Sequence, residues 1–370
     1  MLIGVFNAIT WSFAPVVARR LGASTFLISL VTAAQFAGSI CSFLAAHYLQ
    51  DKRKLPYMVW AWTISRALFL IIAVVTTPLP FVLIVVAFWI IMALPVPGYA
   101  EVMRKIYPDA YRGRAMAYVR VVMTATMTIL TPIAGFLLDL VGYQILFPIA
   151  AVFGILSSLA FGRIKFTETI ISPPRPLSNL WRVLSEDRRY LSYQVAFFVY
   201  GFGNLMVVPL IPIFLVDEMR LSYGEVGVLG MINAIFWMLA YVLWGRTVDR
   251  RGSFWTLELN FILTIFVPLG FFLAWDMKLL AVAYVFNGLT TAGIDLGWIN
   301  GVMEIAHRER VGDYTALHTF FVGVRGILGP FLGAFLASTP AVGLRGAFLL
   351  SAFLIFAGWL LFRRLPRPAS

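Results

Sequence analysis

The sequence predicts an all-α, polytopic membrane protein with about twelve transmembrane helices arranged as two six-helix bundles. Three observations predict this class. Of the 370 residues, 61% are hydrophobic and only 12% are charged, whereas soluble domains have about 45–50% and about 25%. The mean hydropathy is +0.88. Apolar runs of roughly 20 residues, enough to cross a bilayer as a helix, recur along the chain. This composition excludes a soluble enzyme and a nucleic-acid-binding domain.

Six apolar runs in the first half give the first predicted spans, with polar, proline or glycine residues between them. The basic segment 50–54 separates spans 2 and 3, and the basic segment 104–112 separates spans 4 and 5. Pro95 and Pro97 interrupt span 4, where neighbouring helices can satisfy the freed backbone groups. The predicted spans are 1–18, 25–49, 55–76, 80–103, 113–138 and 143–162.

A long polar stretch, 163–190, follows the sixth span and is interpreted as a cytoplasmic linker stiffened by Pro173, Pro174 and Pro176. The sequence therefore predicts an N-terminal bundle over 1–162 and a C-terminal bundle over 191–370. The second set of predicted spans is 191–216, 222–246, 253–275, 279–305, 312–337 and 344–362.

The distribution of positive charge orients these spans. If both termini are cytoplasmic, most of the 29 Lys and Arg residues lie in or beside the inner loops, the linker and the C-terminal tail. The outer loops then hold only Arg19, Arg20, Arg220, Lys278 and Arg345. Because cytoplasmic loops retain Lys and Arg, both termini are predicted to be cytoplasmic. The net charge of +12 is thus an orientation signal rather than a nucleic-acid footprint.

The two halves also carry signs of an internal duplication. Asp51 after span 2 and Asp249 after span 8 are 198 residues apart, and Gln35 has the same offset from Asn233. Two further pairs with this offset are Pro132 with Pro330 and Gly135 with Gly333. An offset that recurs in separate spans predicts one six-helix unit used twice in the same orientation.

The segment from Gly245 to Gly252 reads G-R-T-V-D-R-R-G and matches the pattern G-x-x-x-D-R-x-G between two spans. A copy between spans 2 and 3 keeps Asp51 and Lys52 but lacks both glycines, and Arg112 lies in a similar loop before span 5. In these motifs and in its duplication, the chain resembles the major facilitator superfamily over almost its whole length.

The resemblance implies a secondary transporter that works by alternating access, with two rocking bundles and a central site from spans 1, 4, 7 and 10. It also implies a cytoplasmic latch, a set of charges that pair in one state and separate in the other. The alternative is that these residues only cap and anchor hairpins at the headgroups. The candidate latch residues are Asp51, Lys52, Arg112, Gly245, Asp249, Arg250 and Gly252.

Charges inside the spans are functional candidates because an ionisable residue is costly at mid-bilayer depth. Asp295 lies near the middle of span 10, and Arg325 lies at similar depth on span 11, with His318 two turns nearer the cytoplasm. We expect Asp295 and Arg325 to be close enough to pair, and His318 to modulate the acid. The group then serves proton coupling, forms a permanent structural ion pair, or binds a cation directly.

The remaining cavity candidates are polar or aromatic side chains within the spans. Asn287, Thr291 and Trp298 share the helical face of Asp295. The four residues follow one another at spacings of 4, 4 and 3, which place them on one side of a helix. Arg120 either pairs with Glu101 or reaches the headgroups. Each candidate is either a cavity residue or an interhelical hydrogen bond. The other candidates are Asn7, Trp11, Gln35, Trp89, Tyr99, Asn204, Asn233 and Trp237.

We expect no cofactor and no metal, because the chain has one cysteine and three scattered histidines. It has no Walker-type motif, so ATP-driven transport is not expected, and it has scattered histidines without H-E-x-x-H, so an enzyme is not expected. The rival classes are a receptor, a lipid scramblase and a membrane enzyme. The substrate alternatives are an amphipathic drug exported in exchange for protons, an organic anion and a zwitterion. We expect a monomer in the bacterial inner membrane, with no cleaved signal peptide, whose partners are the substrate, the lipid bilayer and protons.

Overall fold

The computed structural model describes residues 1–48, 54–96, 99, 102–103, 106, 109–164, 180–307 and 310–366. Across these ranges the chain forms helices joined by short turns, without a strand. Ten helical stretches in this part of the chain are long and apolar enough to cross a membrane, and Pro78–Ala93 is a shorter apolar helix. The predicted class, an all-helical multi-pass membrane protein, is confirmed.

The helices of the first half follow the predicted spans closely. Span 1 is divided into two helices around Trp11, and Pro15 lies in the first turn of the second one, where its missing N–H costs nothing. Span 4 is described as a helix only from Pro78 to Ala93. The helices are α1 (Leu2–Thr10), α2 (Ala14–Arg20), α3 (Thr25–Tyr48), α4 (Lys54–Ile71), α5 (Pro78–Ala93), α6 (Asp109–Val141) and α7 (Tyr143–Phe161).

The helices of the second half begin with a short helix from the predicted linker. Predicted spans 8 and 9 form one helical stretch, Tyr223–Leu273, in which Gly252 has the non-helical angles φ 80° and ψ 170°. The helices are α8 (Leu180–Glu186), α9 (Arg188–Val207), α10 (Leu210–Ile213), α11 (Tyr223–Thr264), α12 (Phe266–Leu273), α13 (Met277–Ile305), α14 (Val311–Ser338) and α15 (Gly343–Arg363).

Side-chain caps define where several of these helices start. Asp187 accepts a hydrogen bond of 2.9 Å from the backbone N–H of Tyr190 at the start of α9, and Asp276 accepts one of 2.8 Å from Leu279 at the start of α13. The first N–H groups of a helix lack intrahelical partners, so an acidic cap satisfies a donor and complements the helix dipole.

Contacts divide the chain into two compact units. Unit 1 comprises Met1–Pro174 and Leu215–Met231, and unit 2 comprises Arg175–Phe214 and Ile232–Ser370. The segment Leu215–Met231 lies in the second half by sequence but packs within unit 1. Its close approach uses small residues: a Cβ atom on Gly227 would lie 2.8 Å from the Cα of Pro132 in α6.

Each unit has an aromatic core, and the packing partners follow the same order in both halves of the sequence. In unit 1, α1 packs on α6 and α7, and α4 packs on α5 and α7. In unit 2, α9 packs on α14 and α15, and α12 packs on α13 and α15. These are equivalent spans of the two predicted repeats. Their equivalence supports the predicted duplication.

Candidate functional site

Two facing rows of polar and aromatic side chains join α11 and α13 in unit 2. Asn287 Nδ2 donates a hydrogen bond of 3.0 Å to Asn233 Oδ1, and the Tyr241 hydroxyl donates one of 2.7 Å to Asp295 Oδ2. Both pairs join residues 54 apart, so the two helices keep one register over two turns. We call this set the polar ladder; it consists of Asn233, Trp237, Tyr241, Asn287, Thr291 and Asp295.

A glycine lets the two helices of the ladder approach each other. A Cβ atom on Gly288 would lie 2.9 Å from the backbone nitrogen of Trp237 and would also contact the carbonyl oxygen of Asn233. Between the two hydrogen-bonded pairs, the Trp237 indole Nε1 is buried and has no hydrogen-bond partner among the residues that the structure describes. The Thr291 hydroxyl donates to the Asn287 carbonyl at 2.7 Å. Because all six ladder side chains are half-buried, they are neither sealed in the core nor exposed to lipid along their length.

The two charges expected to pair have other partners in the structure. Arg325 is buried at 7% exposure, and its Nη1 donates to the backbone carbonyl of Phe197 on α9. Gly201 makes room for it, since a Cβ atom there would lie 2.6 Å from the guanidinium Nε. Asp295 instead accepts from Tyr241. The expected pairing is therefore replaced by a carboxylate–phenol bond and an arginine–carbonyl bond, because a side chain's depth does not fix which neighbour it faces.

His318 connects the ladder helix to a second polar network. Its ring stacks on Trp298 of α13, with centroids 5.0 Å apart and planes 6° apart. Its Nδ1 lies 3.2 Å from Gln194 Nε2 on α9. Gln194 also donates to the hydroxyl of Tyr190, which donates in turn to the carbonyl of Tyr314. His318 thus belongs to the contact between α9 and α14.

The network ends at the surface of unit 2. The Tyr314 hydroxyl donates a hydrogen bond of 2.9 Å to Asp187 Oδ2, next to Glu186 and Arg310. Tyr241, Gln194 and Tyr190 were not among the predicted site residues. Tyr241 was detectable, because it lies eight residues after Asn233 and therefore on the same helical face.

In unit 1, two of the predicted cavity residues line one cavity. Gln35 of α3 and Trp89 of α5 border a volume of about 260 Å³ together with Ser39 and apolar side chains. Trp11 does not line this cavity but contacts one of its walls, since its ring centroid lies 5.6 Å from that of Trp89. Tyr99 lies elsewhere in unit 1, where its ring packs against Trp62 at 6.0 Å.

The other uncharged candidates and Arg120 lie apart from these groups. Asn7 is buried at 2% exposure, with Oδ1 unpartnered and Nδ2 3.9 Å from the sulfur of Met123. Asn204 is half-buried on α9, and Arg120 is exposed on α6. The partner expected for Arg120, Glu101, lies outside the described residues.

The candidate latch is described only in the second half. Asp249 and Arg250 are exposed, and Gly252 breaks the helix with its positive φ, which favours glycine. After this break the N–H of Ser253 donates a hydrogen bond of 3.0 Å to Glu304 of α13. Gly245 lies in open space. Asp51 and Lys52 lie outside the described residues, and Arg112 falls in α6.

The described residues contain no group of three or more His, Cys, Asp or Glu side chains arranged to hold a metal ion. The polar ladder offers hydrogen bonding by amides, a phenol and an indole N–H, aromatic rings, and the carboxylate of Asp295.

Comparison with known proteins places this arrangement in a family. A mutant of the nucleoside transporter NupG superimposes with a TM-score of 0.77 at 14% identity, covering 99% of this chain and 98% of that one. A bacterial homologue of the human lysosomal transporter Spinster, inward-facing and occupied, superimposes with a TM-score of 0.75 at 14% identity, covering 100% and 94%. No curated protein matches the chain. The family model of the Major Facilitator Superfamily matches residues 1–278 and 195–370, and the chain therefore belongs to the major facilitator superfamily.

Proposed function

We propose that the chain is a secondary active transporter that moves a small molecule by alternating access and couples this movement to protons. The observation that carries the proposal is the polar ladder, in which Asp295 is a half-buried carboxylate inside the apolar span Met277–Ile305. Placing an ionisable group near mid-bilayer costs on the order of 2.5–3.5 kcal/mol on insertion scales. A cost of this size favours a functional role for Asp295.

The proposed topology has twelve spans in two repeats, 1–162 and 191–370, joined by the linker 163–190. The stretch Tyr223–Leu273 has 51 residues, and at 1.5 Å per residue it would measure about 76 Å as one helix. This is more than twice the about 30 Å of a bilayer core, so we assign it two spans that reverse at Gly252. With Pro78–Ala93 as span 4, the count is twelve. Both termini then face the cytoplasm of a bacterial inner membrane, as the distribution of Lys and Arg indicates.

Proton coupling follows from the chemistry of the Asp295–Tyr241 pair. As a carboxylate, Asp295 accepts a charge-assisted hydrogen bond from the phenol; once protonated, it gains an O–H donor and keeps only a weaker neutral acceptor, so its contact with Tyr241 weakens. A protonation step therefore changes a contact between two spans, which biases one conformation over another. Arg325 and His318 are assigned a supporting role in holding α14 against α9, since their described contacts lie there.

The latch is proposed for the loop that contains Gly252. Asp249 and Arg250 are exposed charges beside a helix break, so they are available to pair in one state and separate in the other. The hydrogen bond from Ser253 to Glu304 ties the helix after the break to α13, the helix that carries Asp295. The loop at Gly252 and the polar ladder are thereby connected through α13, so a movement of the loop is transmitted to Asp295.

The ladder and the unit 1 cavity limit the substrate class. Amides, an unpartnered indole N–H and aromatic rings suit a planar ligand with hydrogen-bonding edges, and one carboxylate suits a cationic or zwitterionic group. Drug export, zwitterion transport and organic-anion transport remain the alternatives. Because Arg325 is committed to Phe197, an organic anion has the least support. A nucleoside, the substrate class of one structural neighbour, also fits this chemistry.

A thermal-shift screen of the purified protein against metabolites, nucleosides and drugs identifies ligands, which are then followed into proteoliposomes. We expect saturable uptake that a pH gradient drives and that collapse of the gradient stops. Saturable uptake without dependence on the pH gradient would leave a transporter but reject proton coupling. Hydrolysis or lipid scrambling without solute flux would reject the transporter and favour a membrane enzyme or a scramblase.

A further inference from the structure

A second polar cavity lies at the surface of unit 2, away from the ladder. Its volume is about 350 Å³, within the range of small-ligand sites. The residues before and at the start of α9 form one wall, and the connection between α13 and α14 forms the other. The candidate spans Arg188–Glu218 and Val311–Ser338 both begin here, so the cavity lies at the depth of lipid headgroups. Its polar lining consists of Glu186, Asp187, Arg188, Arg189, His307, Arg310 and Tyr314.

The two acids of this cavity already have partners within the protein, an arginine for Glu186 and two neutral donors for Asp187. Glu186 accepts a hydrogen bond of 2.7 Å from Arg310, and this guanidinium holds the pKa of Glu186 below its usual range. Asp187 accepts hydrogen bonds from the backbone N–H of Tyr190 and from the hydroxyl of Tyr314, both at 2.9 Å. The carboxylate oxygens of both acids are therefore engaged in hydrogen bonds that hold the fold, while the arginines at the start of α9 have donors to spare.

Two arginines of the lining keep unsatisfied donors. Arg188 is exposed, and its guanidinium has no hydrogen bond or ion pair to the part of the chain that the structure describes. Arg189 donates to the carbonyl of Pro366 at 3.1 Å and lies over the ring of Phe254 at 5.9 Å, while its Nε has no partner. Neither is paired with an acid among the described residues. Among the lining residues that the structure describes, three arginines stand against two acids, so the cavity carries a net positive charge.

We propose that this cavity binds a phosphate ester, with Arg188 and Arg189 as its principal donors. Arginine presents a planar fork of N–H donors that matches phosphate oxygens, and such charge-assisted hydrogen bonds are stronger than neutral ones. The phosphate belongs either to the headgroup of an anionic lipid or to a free ion, and both sources offer the same oxygens. Only the assignment of the cavity to the cytoplasmic side depends on the proposed topology.

A series of hydrogen bonds joins the cavity to the interior of unit 2. The bond between Tyr314 and Asp187 connects its wall to Tyr190, Gln194 and finally His318. A phosphate held by Arg188 and Arg189 at the start of α9 would lie in the same cavity as His307 and Arg310 of the opposite wall, and contact with both walls would hold them together. Binding then stabilises the folded protein by mass action, which makes thermal unfolding a direct readout.

The test uses the purified full-length protein in a non-ionic detergent and needs no transport assay. Thermal unfolding is followed while short-chain phosphatidylglycerol, short-chain phosphatidylcholine or inorganic phosphate is added. We expect saturable stabilisation by phosphatidylglycerol and not by phosphatidylcholine. Arg188→Gln and Arg189→Gln should each weaken this affinity about tenfold or more, the effect of losing a charged hydrogen bond. Arg246→Gln removes an exposed arginine elsewhere in unit 2 and should leave the affinity unchanged.

The outcomes separate the sources and can overturn the proposal. Saturable stabilisation by inorganic phosphate, weakened by the same two variants, supports a free-phosphate site; stabilisation by phosphatidylglycerol alone supports a headgroup site. Equal stabilisation by phosphatidylcholine, equal weakening in Arg246→Gln, or no stabilisation by either phosphate source overturns the proposal. If Arg189→Gln fails to fold, the exposed Arg188 carries the test alone. If the purified protein shows no solute uptake in liposomes, the proposed transport function fails, but the binding results measured in detergent still stand.

Discussion

The hydroxyl of Tyr241 donates a hydrogen bond of 2.7 Å to Oδ2 of Asp295 and joins two membrane-spanning helices of unit 2. Two turns away, the amide pair of Asn287 and Asn233 repeats the contact in the same register. Hydrogen bonds between spans contribute only about 0.6 kcal/mol on average. The ladder therefore contributes more to specificity than to stability, and the carboxylate it holds is the part that can change its protonation state.

The first prediction concerns that carboxylate. Asp295→Asn should abolish uptake driven by a pH gradient while substrate binding stays measurable, because an amide still accepts the phenol hydrogen bond but cannot exchange a proton. Uptake into proteoliposomes and ligand-induced thermal shifts measure the two effects separately. Asp276→Asn is the matched control on the same helix, since Asn caps a helix about as well as Asp. Gradient-driven uptake that survives in Asp295→Asn removes this residue from the coupling step.

The second prediction concerns the start of α11, where Asp139 accepts hydrogen bonds from the backbone N–H groups of Tyr223 at 3.0 Å and Gly224 at 2.7 Å. Asp139→Ala should destabilise the protein by about 1 kcal/mol, the usual cost of a lost cap, while Asp139→Asn keeps most of it. Thermal unfolding of the purified variants measures the difference.

A nearby ion pair supplies the comparison for this cap. Arg19 pairs with Asp217, and their side chains are 22% and 37% exposed. Exposed pairs contribute about 0–1 kcal/mol, so Arg19→Gln should cost less than Asp139→Ala. If Arg19→Gln lowers the unfolding temperature more than Asp139→Ala does, the ion pair rather than the cap holds this end of α11.

The sequence was most informative where one helix carries its own signal. Apolar runs located most of the helices to within a few residues, although predicted spans 8 and 9 form one stretch. Ser222 and Glu225 form a capping box at the start of α11, an S-x-x-E pattern that is present in the sequence but was not among the predictions. The spacing of Asn287 and Asp295 also placed both on one face of α13. These features depend on period and on local backbone groups, both of which are written in the sequence.

Contacts between helices were beyond such reasoning, and Arg325 is the clearest example. Depth placed it opposite Asp295, but the rotation of α14 turns it toward α9, where Gly201 leaves space and Phe197 offers a carbonyl. Arg66 in unit 1 behaves alike, donating to the carbonyl of Gly154 at 2.9 Å. A backbone carbonyl beside a glycine is a partner that no pattern of side chains reveals.

The third prediction concerns the space that Gly201 leaves for the side chain of Arg325. Gly201→Ala should destabilise the protein by about 1–3 kcal/mol, the usual cost of overpacking, because the new Cβ would meet the buried guanidinium of Arg325. Thermal unfolding in detergent measures it. Gly245→Ala is the matched control, since nothing lies within 4 Å of a Cβ at that position. Equal unfolding temperatures for the two variants would mean that Arg325 shifts at no cost.

The fourth prediction concerns α8 in acid. The hydrogen bond from Arg310 lowers the pKa of Glu186, so the folded protein binds fewer protons at this site than the unfolded chain. The Glu186–Arg310 pair therefore stabilises the docking of α8 fully at pH values above the ordinary glutamate pKa of about 4.3. This stabilisation is lost as the pH falls through the lowered pKa of Glu186. Because Glu186 is exposed, we expect a small effect confined to α8.

Amide hydrogen exchange over Leu180–Glu186, corrected for its intrinsic pH dependence, measures this docking. Protection should fall as the pH drops below about 4 in the native protein, and Glu186→Gln should give weaker protection that does not change over the same range. The variant keeps the side-chain length and loses only the charge, so it isolates the ion pair from the burial of Val183, which anchors the helix in the core. Protection that falls equally in both proteins would assign the acid sensitivity to another group.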